Sequence, residues 1–163
     1  MPPDNSATVA PGTDVSFPQD SPSSGSGIVR AGTDSFNLTQ IGTYQILFQV
    51  NVTEAGQLIL TLNGEDLAYI VIGRATCTSQ IVEMAIVTTT TINSILTVRN
   101  PAGNAAALTI TPLAGGTRPV CAHLVITQIA WTFYIRRIFN EKAEPIAAAL
   151  GSAILFIYDY IMY

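Results

Sequence analysis

The chain has 163 residues, of which 48% are hydrophobic and only 11% are charged, with a net charge of -4 at neutral pH. This length suits one ordinary domain with a sizeable core, and the scarcity of charge indicates that part of the apolar surface contacts other protein or lipid. The net charge and the scattered basic residues argue against nucleic-acid binding, because phosphate contacts need clustered Lys and Arg.

The N-terminal residues 1–27 are rich in Pro, Ser, Gly and Asp and show no sustained period. Such a composition predicts a flexible arm, in which residues 15–17 are able to add a short first strand. The first residues, MPPDNSATVAPG, contain neither a basic region nor an apolar run, so we expect no cleaved signal peptide.

A run of alternating side chains begins at residue 42, where the sequence reads GTYQILFQVNV. Apolar residues occupy every second position, which predicts a strand with one buried side. Similar runs return about every ten residues, and turn sequences such as EAG, NGED and NPAGN separate them. The pattern predicts an antiparallel all-β sandwich or barrel over residues 28–130. The residues expected to face the core on the later runs are Leu58, Leu60, Leu62, Val82, Met84, Ile86, Leu96, Val98, Leu108, Ile110, Val120, Ala122, Leu124 and Ile126.

Two of the predicted strands, at 67–73 and 122–130, carry apolar residues on both faces. A sandwich that exposes one face of each sheet to water has no need of such strands, so they indicate a second protein contact. We expect this contact to be a subunit interface around a symmetry axis. The alternative is that both are central strands under a long loop. The expected interface residues are Leu67, Tyr69, Val71, His123 and Val125.

Residues able to carry out chemistry are few. His123 is the only histidine and Cys121 lies two positions before it, but no third group orients the pair, so we expect a structural or interface role for His123. Glu65 and Asp66 belong to a turn and provide too few oxygen ligands for calcium. Cys77 and Cys121 are expected either to form one disulfide or to remain buried thiols. We therefore expect no enzyme activity, no cofactor and no metal site.

The composition changes after residue 130, where the sequence continues WTFYIRRIFNEKAEPIAAALGSAILFIYDYIMY. Residues 131–143 have the spacing of an amphipathic helix, and Pro145 suits the first turn of a second, hydrophobic helix. From residue 146 to the end this second helix would be about 27 Å long, which is marginally enough to cross a membrane. The tail, residues 131–163, has three interpretations: a membrane segment within 145–163, a helix packed against the assembled oligomer or against its own β-domain, or an appended segment without an evolved role. The residues expected to insert in lipid are Ile146, Leu150, Ile154, Phe156 and Tyr158.

The order of the strand sequences resembles one protein family. Gly42, Tyr44, Ile46 and Phe48 reproduce a Gly-x-Tyr-x-Ile-x-Phe opening of an early core strand, and GQLILTLNG, SQIVEMAIVTTTTINSILTVRNPAGNAAALTITP and VCAHLVITQIA follow in the expected order. In these features the chain is similar to the C-terminal globular domain of the collagen-like exosporium proteins of Bacillus, in the C1q/TNF-like jelly-roll superfamily. The long Gly-X-Y stalk typical of that family does not occur in the sequence.

The resemblance implies a ten-stranded jelly roll, a tight homotrimer with the two-sided strands near its axis, and location at the spore surface or exosporium. The first expected function is therefore a non-enzymatic, structural or adhesive head that trimerises at a spore or particle surface. The alternative is a membrane-anchored jelly-roll protein whose tail inserts in lipid and whose head binds a partner. In either case the ligand would be an unidentified protein or carbohydrate.

Overall fold

The structure is a computed structural model that describes residues 8–75, 79–111, 117 and 122–131. The regular structure of this part of the chain is all β-strand, and the strands pair in antiparallel fashion, which confirms the predicted all-β class. The strands are β1 (Thr8–Val9), β2 (Ile28–Arg30), β3 (Ser35–Leu38), β4 (Gly42–Val52), β5 (Gly56–Leu62), β6 (Glu65–Arg74), β7 (Ser79–Thr88), β8 (Ser94–Arg99), β9 (Leu108–Thr109) and β10 (Ala122–Trp131).

The described strands form a five-stranded sheet ordered β2-β3-β8-β5-β6, a three-stranded sheet ordered β10-β4-β7, and the short pair β1-β9. Three of the pairs are nested in the sequence. β5 pairs with β6, and the two strands that flank this hairpin in the sequence, β4 and β7, pair with each other. β3 and β8, which flank all four, form the third pair. The innermost and outermost pairs belong to the five-stranded sheet and the middle pair to the three-stranded sheet. Along the sequence, the paired strands therefore cross from the five-stranded sheet to the three-stranded sheet and return to the five-stranded sheet.

The core forms between the inward faces of the two larger sheets. On β4, Tyr44, Ile46, Phe48 and Val50 are fully buried, as the alternation predicted. Side chains from both sheets join them in a single cluster, and packing of this kind contributes most of the stability of a domain. The fully buried members on the five-stranded sheet are Leu38, Leu58, Leu60, Leu96 and Val98.

The orientation predicted for β7 is wrong. Ile81, Ala85 and Val87 are the buried residues of this strand, whereas Val82, Met84 and Ile86, which were expected to face the core, are exposed. The core-side set includes Glu83, whereas positions 82, 84 and 86 are all apolar, so the alternation alone favours the wrong orientation. The register with β4 decides between them, because Ile81 pairs with Val50 and Ala85 with Ile46.

The two strands with apolar residues on both faces, β6 and β10, each end a sheet in the described part of the chain. Among the described residues, neither is therefore a central strand. Trp131, which was expected to begin the helical tail, is the last residue of β10 and pairs with Gly42. Residues 132–163, with the predicted helices and the membrane segment, lie outside the described residues.

A two-residue hairpin joins β5 to β6 at the Asn63-Gly64 sequence. Both residues have positive φ, 54° for Asn63 and 87° for Gly64, as the tight turns that match the twist of paired strands require. The Asn63 Oδ1 atom also accepts a hydrogen bond of 2.8 Å from the backbone N–H of Ile95 on β8. The turn thus fixes the end of β5 against both of its neighbours.

The N-terminal segment 8–17 packs against the sandwich, although the sequence predicted a flexible arm over 1–27. Val9, Val15 and Phe17 are buried members of the core cluster. The Val15 N–H donates to the Val98 carbonyl at 2.7 Å, and the Phe17 ring meets Phe36 edge-on with 6.1 Å between centroids. Three apolar side chains spaced along a polar segment are thus enough to hold it in place.

An ion pair holds this segment against the end of β8. Asp14 and Arg99 are opposite each other in an antiparallel bridge, and Arg99 Nε donates to Asp14 Oδ1 at 2.8 Å. The same carboxylate oxygen accepts a hydrogen bond of 2.9 Å from the Thr97 hydroxyl. Thr97 has therefore used its one proton, so in the 2.7 Å contact between the Thr61 and Thr97 hydroxyls Thr61 is the donor. The hydrogen bond to Asp14 raises the pKa of Arg99, which keeps it charged.

Substitution of Asp14 tests this attachment, and Asp20 provides a matched control. Both aspartates pair with an arginine, but the Asp14 side chain is 19% exposed and that of Asp20 is 70% exposed. We expect Asp14→Ala to lower the free energy of unfolding by about 2 kcal/mol, because a half-buried Arg99 and the Thr97 hydroxyl lose their acceptor. Asp20→Ala should cost less than about 0.5 kcal/mol. Urea denaturation measures both values, and equal losses would contradict the proposed role of Asp14.

Candidate interaction surface

The outward side of the three-stranded sheet carries exposed apolar side chains that the core does not explain. We call it the β10–β4–β7 face. Its central row consists of Val125, Leu47 and Met84, which are aligned by the register of the three strands. The row before it joins His123, Gln49 and Val82, and the row after it joins Thr127, Gln45 and Ile86.

The apolar side chains of this face are exposed. Met84 has 59% of its surface open to solvent, Val125 has 52% and Ile86 has 50%. Single exposed apolar residues are ordinary, but aligned ones on adjacent strands are typical of a surface that meets another molecule. At the far end of β10, Ile129 and Trp131 are exposed as well.

Charged residues are absent from the outward positions of the β10–β4–β7 face among the described residues. The charged residues of that part of the chain are Asp14, Asp20, Arg30, Asp34, Glu54, Glu65, Asp66, Arg74, Glu83 and Arg99. The only one on these three strands is Glu83, which pairs with Phe48 and so belongs to the core side of β7. A charge on the core side of an end strand also discourages further strands from adding there.

Polar contacts between neighbouring strands order this face. The Gln45 amide Nε2 donates to the Met84 sulfur at 2.9 Å, and the Thr43 and Thr88 hydroxyls lie 3.3 Å apart. The first contact joins the middle strand to β7 and holds the Met84 side chain in the apolar row. Sequence reasoning missed Leu47, Val82, Met84 and Ile86 as surface residues, because it assigned the β7 set to the core and gave Leu47 no role.

A second exposed apolar area, which we call the β6 patch, consists of Tyr69 and Val71. Tyr69 is 69% exposed and Val71 is 43% exposed. Leu67 was predicted to share their surface, but it is half-buried and packs on the core cluster. The register between β5 and β6 shifts between Ile59 and Thr61, and this irregularity accounts for the change of side along β6.

The five predicted interface residues thus occupy different places. His123 and Val125 lie on the β10–β4–β7 face, Tyr69 and Val71 form the β6 patch on the other sheet, and Leu67 contacts the core. Whether any of them meets another subunit stays a prediction. Both members of the predicted disulfide, Cys77 and Cys121, lie outside the described residues.

Within the described ranges, no group of three or more His, Cys, Asp or Glu side chains is arranged to hold a metal ion. In the same ranges no helix is long and apolar enough to span a membrane. The carboxylates of the NGED turn lie near Arg99, with Asp66 Oδ1 3.7 Å from Arg99 Nη1. Asp66 therefore pairs with a cation that the chain itself supplies.

The Glu54 carboxylate accepts hydrogen bonds that shift its pKa. Its Oε2 atom accepts a hydrogen bond of 2.6 Å from the Thr109 N–H, and its Oε1 atom accepts one of 2.7 Å from the Thr53 hydroxyl. The first of these contacts is the main reason that the pKa of Glu54 lies below its ordinary value of 4.5. The carboxylate thus ties the end of β4 to β9, away from the β10–β4–β7 face.

Comparison with known proteins gives no family for this chain. It matches no protein-family model. No curated protein matches it significantly.

The shifted pKa of Glu54 makes part of the stability dependent on pH. A carboxyl whose pKa is lower in the folded state stabilises the protein above its unfolded pKa, and this contribution is lost as the pH falls through the folded pKa. At pH 7 we expect Glu54→Gln to lower the free energy of unfolding by on the order of 1 kcal/mol, because the bond to Thr109 loses its charge. At pH 3, below the unfolded pKa, the difference from the wild type should be smaller.

Denaturation with urea at the two pH values measures the effect of Glu54→Gln. Glu65→Gln is the control, since Glu65 is an exposed residue of the NGED turn. If Glu54→Gln lowers the free energy of unfolding by the same amount at pH 7 and pH 3, the ionised carboxylate does not contribute to the stability.

Proposed function

We propose that this protein is a non-enzymatic structural or adhesive head that forms homotrimers at the surface of a spore or another particle. The observation that carries the proposal is the β10–β4–β7 face, with its exposed apolar row and, among the described residues, no charge at its outward positions. A face of this kind loses little by leaving water, because no charged group on it has to be desolvated. Its apolar row provides the area that drives association.

The nested strand pairs support a jelly roll as the finer description of the fold. In a jelly roll, an antiparallel ribbon wraps so that consecutive pairs alternate between two sheets. The pairs β5-β6, β4-β7 and β3-β8 alternate in this way. The resemblance of the strand sequences to the collagen-like exosporium proteins points to the same fold and supplies the expectation of a trimer.

Two distinct apolar areas favour a ring over a two-fold dimer. A two-fold interface joins a patch to its own copy, whereas a ring joins two different patches of neighbouring subunits. The β10–β4–β7 face and the β6 patch lie on different sheets. In the proposed trimer, Tyr69 and Val71 of one subunit meet the β10–β4–β7 face of the next, so that His123 and Val125 are buried in the same contact.

Substitution of Met84 by glutamate tests the proposal at the centre of the face. We expect Met84→Glu to weaken trimer association by at least about a hundredfold, because each interface would bury an unpaired carboxylate. Ile92→Glu is the matched control, since Ile92 is 64% exposed but lies in the turn between β7 and β8 and off the face. Light scattering on a sizing column, with the full chain at micromolar concentration, measures the mass of each variant.

The control separates a specific interface from general charge repulsion. The proposal predicts a trimer for the wild type and for Ile92→Glu, and a monomer for Met84→Glu. A wild-type protein that is monomeric would overturn it. A Met84→Glu variant that remains trimeric would show that the assembly uses another surface.

A further inference from the structure

The N-terminal segment, residues 8–17, lies in a groove formed by the end of β8, the Asn100 that follows it and β9, which we call the β8 groove. β3 pairs with β8 only as far as Thr97, and β5 pairs with the opposite edge of β8. Beyond Thr97 the segment takes the place of β3. The Gly12 N–H donates to the Asn100 carbonyl at 2.7 Å, and the Asn100 N–H donates to the Thr13 carbonyl at 3.0 Å. The segment is thus bound in the manner of an added strand.

Side chains of the β8 groove recognise the segment as well. Val9 and Val15 are buried members of the core cluster. The fully buried Asn100 donates from Nδ2 to the Val9 carbonyl at 2.8 Å. Arg99 pairs with Asp14. A segment of another sequence would lose these contacts, so the ligand that fits the groove is residues 8–17 of this chain or of a second copy.

A polar linker, residues 18–27, connects the segment to β2. Its residues 19–26, with the sequence QDSPSSGS, are all exposed. Linkers rich in Ser and Gly adopt many conformations, and ten extended residues span up to about 33 Å. The linker therefore has the length and the composition to carry the segment to the groove of a neighbouring chain, while the paired strands stay as they are.

We propose that the β8 groove is a strand-acceptor site for a second copy of this chain, so that two chains exchange their N-terminal segments. Exchange between identical chains repeats every contact of the groove, and reciprocal exchange closes the pair with both grooves filled. The exchange makes no use of the β10–β4–β7 face. It therefore goes beyond the proposed trimer and does not depend on it.

The protein concentration decides between the exchanged and the separate chains. The groove contacts are the same in both forms, so a second chain competes only with the effective concentration of the segment on its own linker. For a short flexible linker this concentration is on the order of 1 mM. Chains at micromolar concentration therefore keep their own segments, whereas chains crowded together exchange them and become joined.

Reversal of the ion pair between Asp14 and Arg99 brings the exchange into the micromolar range. A chain with Asp14→Arg and a chain with Arg99→Asp each place like charges together in their own groove. When the two chains are mixed, reciprocal exchange places opposite charges together in both grooves. Each restored pair should favour the mixed dimer by about thirtyfold, and the two pairs together by about a thousandfold.

Native mass spectrometry of the full chains, separately and after mixing, measures the composition of the assemblies. Both chains also carry Met84→Glu, which is expected to prevent the proposed trimer. Asp20→Arg mixed with Arg30→Asp is the matched control, because it makes the same changes of charge at a pair in which the Asp20 side chain is 70% exposed. Exposed pairs contribute little, so the control should give no mixed dimer at micromolar concentration.

The double variant Asp14→Arg/Arg99→Asp tests whether the reversed pair fits the groove. It restores the ion pair within one chain, so with Met84→Glu it should be a folded monomer. Circular dichroism of each chain alone and of the mixture follows the folding. A single variant that loses structure alone and regains it on mixing also supports the exchange.

The unreversed groove is tested with the Met84→Glu chain at about 1 mM, where sedimentation equilibrium should show a dimer. A monomer at this concentration overturns the inference, whatever the charge variants do.

The outcomes of mixing separate the exchange from the trimer. Mixed dimers of the Asp14→Arg and Arg99→Asp chains, without mixed dimers in the control, support the inference. Separate chains after mixing, with a folded double variant, overturn it. Equal mixing in both experiments overturns it too, since attraction between oppositely charged chains would then be responsible. A wild type that is monomeric at micromolar concentration overturns the trimer alone.

Discussion

The pairing of β4 with β7 on one side and β10 on the other is the constraint on which the rest of the structure depends. One register places Tyr44, Ile46, Phe48 and Val50 in the core. Because side chains alternate along a strand, the same register must place the intervening residues on the outside. The core and the uncharged face are therefore two products of a single alignment, and a slip of one residue would exchange them.

Much of the fold follows from the sequence, because the alternation along β4 has only one apolar set and therefore only one orientation. On β7 the core-side set includes Glu83 and the outward set does not contain a charge, so the local pattern favours Val82 over Ile81 as the buried residue, against the observed register. The position of Leu67 depends on a register shift with β5, which involves a partner distant from it in the sequence. Val15 and Phe17 belong to a segment with the composition of a flexible linker, and only the three-dimensional core reveals their partners.

The candidate surface shows the same division between local and distant information. That β10 and β6 would contact something besides their own core could be predicted from apolar residues on both of their sides. The alignment of Val125, Leu47 and Met84 in one row could not be predicted from the sequence, because three strands far apart in the sequence contribute one residue each. The absence of charge from the face is likewise a property of the aligned strands, since Glu83 lies on one of them and is directed away from it only by register.

The nested arrangement of strand pairs has a consequence for how the chain reaches this structure. The Asn63-Gly64 turn joins β5 to β6 through a very short loop, so their pairing costs little loop-closure entropy. β3 and β8, in contrast, are separated in the sequence by most of the domain. Once the inner hairpin has formed, the chain between β4 and β7 is effectively shorter, and closure of that pair shortens the path between β3 and β8 in turn. We therefore expect the sandwich to fold outward from one turn, with its two ends joining last, and to fold slowly for its size because the pairs that complete it are distant in sequence.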